Sequence, residues 1–109
     1  LTVVASLSDD NSVMIDDFAA VLRAAQGGDE RAVEVLWRAL NFRLVRYLRA
    51  RDRDAAQDIA SETWMTVASK LRQFDGGEIE FRAWLFTIAR SRLIDWQRRR
   101  QARPETVAE

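Results

Sequence analysis

The sequence has no cysteine and no histidine, and only one proline and four glycines in 109 residues. Lacking Cys, it can form neither a disulfide nor a thiolate metal site. Lacking His, it has lost the commonest general base and metal ligand. So little Gly and Pro leaves few of the punctuation marks that strands and hairpins need. No apolar run approaches the ~18 residues that span a bilayer, so no membrane insertion is expected. The first residues show no basic stretch followed by an apolar one, the mark of a signal peptide. The expected location is cytoplasmic. Lysine is scarce too: Lys70 stands alone among seventeen basic residues, and the rest are Arg.

What is present suffices for a folded domain. Apolar residues make up 48% of the chain, with four Trp and five Phe, enough for a core and for one small domain. The formal net charge is zero, but it is unevenly spread. Residues 1–80 hold ten basic and fourteen acidic groups, and residues 81–109 hold seven and three. Such a dipolar chain suits two partners, with nucleic acid at the basic end. Solvated helix faces account for the same pattern without any partner.

Read in order, residues 1–13 show no sustained period and are expected to be a mobile leader. A first helix is predicted from Ile15 to Gln26, with Ile15, Phe18, Leu22 and Ala25 on one face, ended by Gly27-Gly28. Asp29 is a good N-cap for the second. Its apolar stripe is Val33, Leu36, Trp37, Leu40, Leu44, Tyr47 and Leu48, with six arginines from Arg38 to Arg53 elsewhere. Asp52 or Asp54 is expected to cap a third helix that runs to about Gln73. Its core face is Ala56, Ile59, Ala60, Thr63, Val67, Leu71 and Phe74, and Asp58, Ser61, Glu62 and Met65 lie on another side. After the loop DGGEI comes a fourth helix, bounded by Pro104. Its front carries the apolar face Phe81, Trp84, Leu85, Ile88 and Ala89. Its back carries Arg90, Arg92, Arg98, Arg99, Arg100 and Arg103 against one acid, Asp95. Interleaved aromatic and Arg side chains suit a nucleic-acid strand, because rings stack on unpaired bases and guanidinium groups hold phosphates. The expected fold is all-α, a compact bundle of four helices behind the leader. The domain is expected over residues 14–103, with 104–109 as the start of a linker.

Catalysis finds little footing. Without His and Cys, only carboxylates, Ser and Thr remain as reacting groups. Asp54, Asp58 and Glu62 recur at four-residue steps, but no second carboxylate cluster completes a two-metal site. No Gly-rich phosphate loop is present. The chain is read as a non-enzyme with no metal and no cofactor.

The segment DIASETW at 58–64, followed by Leu71, Phe74 and FRAWLFTIARSRLIDWQRRR at 81–100, resembles region 2 of bacterial sigma factors, especially the small extracytoplasmic-function type. The resemblance covers roughly residues 16–103. It implies that the third helix docks on the clamp helices of the largest catalytic subunit of RNA polymerase, which makes Asp58, Ser61, Glu62 and Met65 core-binding residues. An acidic face fits a basic partner. It also implies that the 73–80 loop and the fourth helix recognise and melt the −10 promoter element as non-template single strand, with one flipped base held in a pocket. The implied DNA contacts are Phe74, Phe81, Arg82, Arg90, Ser91, Arg92, Arg98, Arg99 and Arg100. Phe81 and Trp84 stay open between core and base contact, since their spacing fits both. The family usually has Gln where this chain has Ser61, and related members often have Asn where it has Ser91. An anti-sigma protein is a further implied partner. Region 4, the family's second helical domain, has no residues left after Pro104, so a piece of a longer protein is expected. Two other readings remain: a duplex-binding helical regulator, and a protein-interaction adaptor, both independent of polymerase.

Overall fold

The computed structural model describes residues 15–102. Among them are four α-helices and no strand: α1 (Phe18–Gln26), α2 (Glu30–Arg51), α3 (Ala56–Lys70) and α4 (Glu78–Ala102). A 3-10 turn, Leu71–Gln73, extends α3. The all-α expectation holds. The expected leader (1–13), the two end residues of the expected domain, Met14 and Arg103, and the linker start (104–109) lie outside the described residues.

The α1–α2 corner follows from three residues. Gly28 takes a positive φ of 97°, which glycine adopts at no steric cost. The Gly28 N–H donates to the Ala25 carbonyl, and the Asp29 N–H reaches back to Ala24, each at 3.0 Å. This pair of bonds is a Schellman motif, which satisfies the orphan carbonyls at a helix end. The Asp29 carboxylate then accepts the Arg31 N–H at 2.9 Å and starts α2. One residue therefore closes one helix and opens the next.

Helix α1 starts at Phe18 rather than Ile15. Asp17 sits in the left-handed region, with φ 50° and ψ 55°, which an L-residue rarely occupies inside a helix. The Ile15 N–H is instead held by both carboxylate oxygens of Glu78 on α4, at 3.1 Å each.

The core is a contiguous set of apolar side chains from all four helices. Leu36, Leu40, Leu44 and Leu48 of α2 meet Ile59 and Val67 of α3 and Phe81, Leu85 and Ala89 of α4. The α2 stripe is narrower than its sequence suggests. Val33 and Trp37 are 38% and 45% exposed and line a groove of about 560 Å³ with Trp64, Val67 and Leu71. At about 100° per residue they fall within the arc spanned by Leu36, Leu40, Leu44 and Leu48, so their exposure comes from a flank that no helix covers among the described residues. The expected α3 core face is buried, Phe74 partly so. Helix α3 ends at Lys70, and the chain continues to Gln73 as the 3-10 turn. At its start the N-cap position is Ala55, which has no side-chain oxygen. Asp52 acts three residues earlier, accepting the Ala55 N–H at 3.2 Å. Trp64 on α3 donates its indole N–H to Asn41 on α2 at 2.9 Å.

Candidate functional site

Three features meet around α4: the loop that precedes it, its arginines, and the outer face of α3. The loop is built on a row of rings. Phe18 of α1 lies 5.6 Å from Phe81, and Phe81 lies 5.4 Å edge-on from Phe74. Phe74 in turn stacks on Trp84 at 4.9 Å and 28°. The row runs from the core, where Phe81 is 0% exposed, to Phe74 and Trp84, which are half-buried. Offset and edge-on ring pairs add to the burial they provide.

The backbone beyond Phe74 is fixed as tightly. Gly76 has a φ of 156°, and a Cβ there would lie 3.0 Å from both the Phe74 ring and the Glu80 side chain. Only glycine fits between them without a shift. The Gly77 N–H donates to the Glu80 carboxylate at 3.0 Å, the reach-back half of a capping box. From the other side, the Gln26 amide of α1 donates to the Leu71 and Phe74 carbonyls, each at 2.9 Å.

The arginines of α4 do not form one face. Eighteen residues are five helical turns, so Arg82 and Arg100 share a line, and each meets an acid. Arg82 bonds Glu78 at 3.0 Å and is only 19% exposed at its side chain. Arg100 bonds Asp52 at 2.9 Å and so ties the end of α4 to the α2–α3 corner. Arg92 and Arg99, seven residues apart, share a second line. Arg92 donates to Thr66 on α3 at 2.8 Å, and the Arg99 guanidinium lies 5.9 Å from the Trp96 ring centre. Arg90, Ser91 and Arg98 are exposed. The Asp52 carboxyl is held below the ordinary carboxylate range, chiefly by the hydrogen bond from Arg100. Burial opposes this shift, and the Ala55 N–H supports it.

On α3, Asp58, Ser61 and Met65 are exposed, Met65 at 69%, and Glu62 is half-buried beside them. They form one continuous surface, as their spacing predicts. Thr66 joins this surface to α4: it donates to the Glu62 carbonyl at 3.0 Å while accepting from Arg92. Among the described residues no group of three or more acidic side chains converges closely enough to hold a metal ion.

Two residues expected at the DNA contact are placed differently. Phe81 has no exposed surface to offer a base, and its role is corrected to a support for Phe74 and Trp84. Arg82 is drawn inward by Glu78 at the first turn of the helix. Conversely, Gln26, Asp52, Thr66 and Glu78 matter to the site through contacts that span 26 to 63 residues. No local pattern announces such pairs.

The sequence that builds these helices matches a known family. The family model for sigma-70 region 2 matches residues 36–103, well over half of the chain. The chain belongs to the sigma-70 region 2 family, and so is a sigma factor domain with a role in RNA polymerase binding and promoter recognition. The family is one of non-enzymatic transcription factor domains. Comparison with curated proteins and with solved structures returns no match. None of the helices described is long and apolar enough to cross a membrane.

Proposed function

We infer that this domain holds RNA polymerase core through Asp58, Ser61, Glu62 and Met65 on α3. With the 73–77 loop and α4 it reads the −10 promoter element as melted, non-template single strand. The observation that carries the reading is the join between a family match over 36–103 and the ring pair Phe74–Trp84 at the mouth of the loop. A half-buried ring pair next to a glycine-lined turn suits a base swung out of its stack. Extruding a base costs a few kcal/mol, which stacking and hydrogen bonds must offset. Arg90 and Arg98, exposed, and Arg99 and Arg100, which keep accessible surface, suit the phosphates of the same strand. Ser91 lies on the exposed side of α4 with one hydroxyl for a base edge.

The acidic α3 face suits the basic surface of the clamp helices, and its exposure leaves it open to an anti-sigma protein that would occlude it. The sequence resemblance supports the extracytoplasmic-function type and, with it, a cytoplasmic role.

The deciding experiment is binding to short single strands carrying −10-like sequences, beside scrambled strands and duplexes, at two salt concentrations, with and without polymerase core. The expected outcome is preference for one strand and one sequence. Equal, salt-sensitive binding to every strand, with core present, would reduce α4 to a general cationic helix. Tight binding to a duplex without polymerase would favour a duplex-binding regulator.

A further inference from the structure

Gln26 is the last residue of α1, yet its side chain serves a different part of the chain. Its Nε2 lies 2.9 Å from the Leu71 carbonyl and 2.9 Å from the Phe74 carbonyl. Both partners can only accept, so chemistry requires the NH2 end of the amide to face them. The two amide hydrogens serve one carbonyl each. These carbonyls bracket the 3-10 turn, and the Leu71 oxygen also accepts the Phe74 N–H at 3.0 Å. The amide thus fixes the peptide plane on which Phe74 leaves the turn, and with it the ring that stacks on Trp84.

Few side chains can do this. Asn is one methylene shorter. Glu of the same shape brings a carboxylate, which accepts and does not donate, against two carbonyl oxygens. Lys brings a charge into a half-buried corner. The corner that delivers the amide is itself rigid, because the next residues are the Schellman turn at Gly28 and Asp29.

We propose that Gln26 is the positioning residue for the base-reading loop: it fixes Phe74 against Trp84 before DNA arrives, so that the loop is ordered in advance. The proposal rests on the reading of that loop given above. A loop left free to sample other arrangements must be ordered by the strand itself, and that ordering is subtracted from affinity for the correct base. A strand held only through phosphates gains nothing from the order of the loop.

The test uses the 109-residue chain and its Gln26→Glu and Gln26→Ala variants, alone and with polymerase core. Affinity is measured for a −10-like single strand, for the same strand with the flipped base replaced, and for a scrambled strand. Wild type is expected to discriminate between the first two. In both variants the discrimination is expected to fall roughly tenfold, while scrambled-strand affinity and core affinity stay within about twofold. Amide exchange at Phe74 and Gly77 is expected to speed up in the variants. Gln26→Ala adds no charge, and so carries the test if Gln26→Glu does not fold. Discrimination equal to wild type in a folded variant overturns the proposal. So does a parallel fall in discrimination, scrambled-strand affinity and core affinity, which would mark Gln26 as merely structural. Absence of discrimination in wild type with core present overturns the base-reading function itself, and Gln26's role with it.

Discussion

Phe81 and Trp84 stand less than one helical turn apart on α4, and they divide the labour of the ring row. Phe81 is wholly inside, so Phe81→Ala leaves a cavity and is expected to cost about 3–5 kcal/mol, read from urea unfolding. Trp84 is half-buried and stacked on Phe74. Trp84→Ala is expected to cost less, about 1–3 kcal/mol, while abolishing preference for the −10-like strand. Equal losses of stability in the two variants would mean that Trp84 is simply core. Gly76 belongs to the same row. A Cβ there meets the Phe74 ring at 3.0 Å, so Gly76→Ala is expected to cost about 1–3 kcal/mol in strain and to weaken near-ultraviolet dichroism from the Phe74–Trp84 stack. An unchanged spectrum would show that the turn absorbs the methyl group elsewhere.

At the scale of elements, α4 joins an apolar front to a cationic back, and the two halves differ in how legible they were. The front was readable because Phe81, Leu85 and Ala89 repeat at helical spacing, and the core followed from that. The back was readable as a composition, a run of arginines, but not as a geometry. The sequence does not reveal that Arg100 meets Asp52, because that acid is brought to it by packing over 48 residues, whereas the Glu78–Arg82 pair in the front half is an ordinary four-residue helix spacing. Nor does it reveal that Trp37 stays exposed, since the stripe on α2 reads wider than the partner helices can cover. The start of α1 was misplaced for a similar reason: Ile15 fits the helical period but spends its N–H on Glu78. For the cationic back, Arg98, Arg99 and Arg100 together replaced by Ala are expected to weaken single-strand binding. The log–log salt slope should become shallower by about 2 for three lost phosphate contacts. An unchanged slope would remove these residues from the phosphate path. On α3, Glu62→Lys is expected to lower core affinity at least tenfold through charge reversal, and unaltered core binding would remove Glu62 from that interface.

The whole molecule is closed at its far end by a single carboxylate. Asp52 caps the α2–α3 corner and holds Arg100 of α4. Its carboxyl lies lower in the folded chain than the ordinary value of 3.8, with Arg100 as the chief cause. A depressed carboxyl stabilises the fold fully above its unfolded value, and the contribution disappears as pH falls through the folded one. Thermal unfolding of wild type is therefore expected to drop as the pH falls from about 4 downwards. Asp52→Asn is expected to show a flatter profile over that window. Parallel profiles would mean that the ion pair contributes nothing to the fold.

The corner at Gly28 and Asp29 also limits how a chain like this one can lengthen. Because Asp29 closes α1 and opens α2, there is no spare residue to absorb an insertion. One added residue would rotate α1 by about 100° against α2 and turn Gln26 away from the loop. At the second corner Arg53 and Asp54 are exposed and are spanned by the Asp52–Ala55 hydrogen bond, which a lengthened bend can re-form, and insertions in exposed loops cost little. Length variation among chains of this architecture is thus expected to collect at the second corner and to avoid the first.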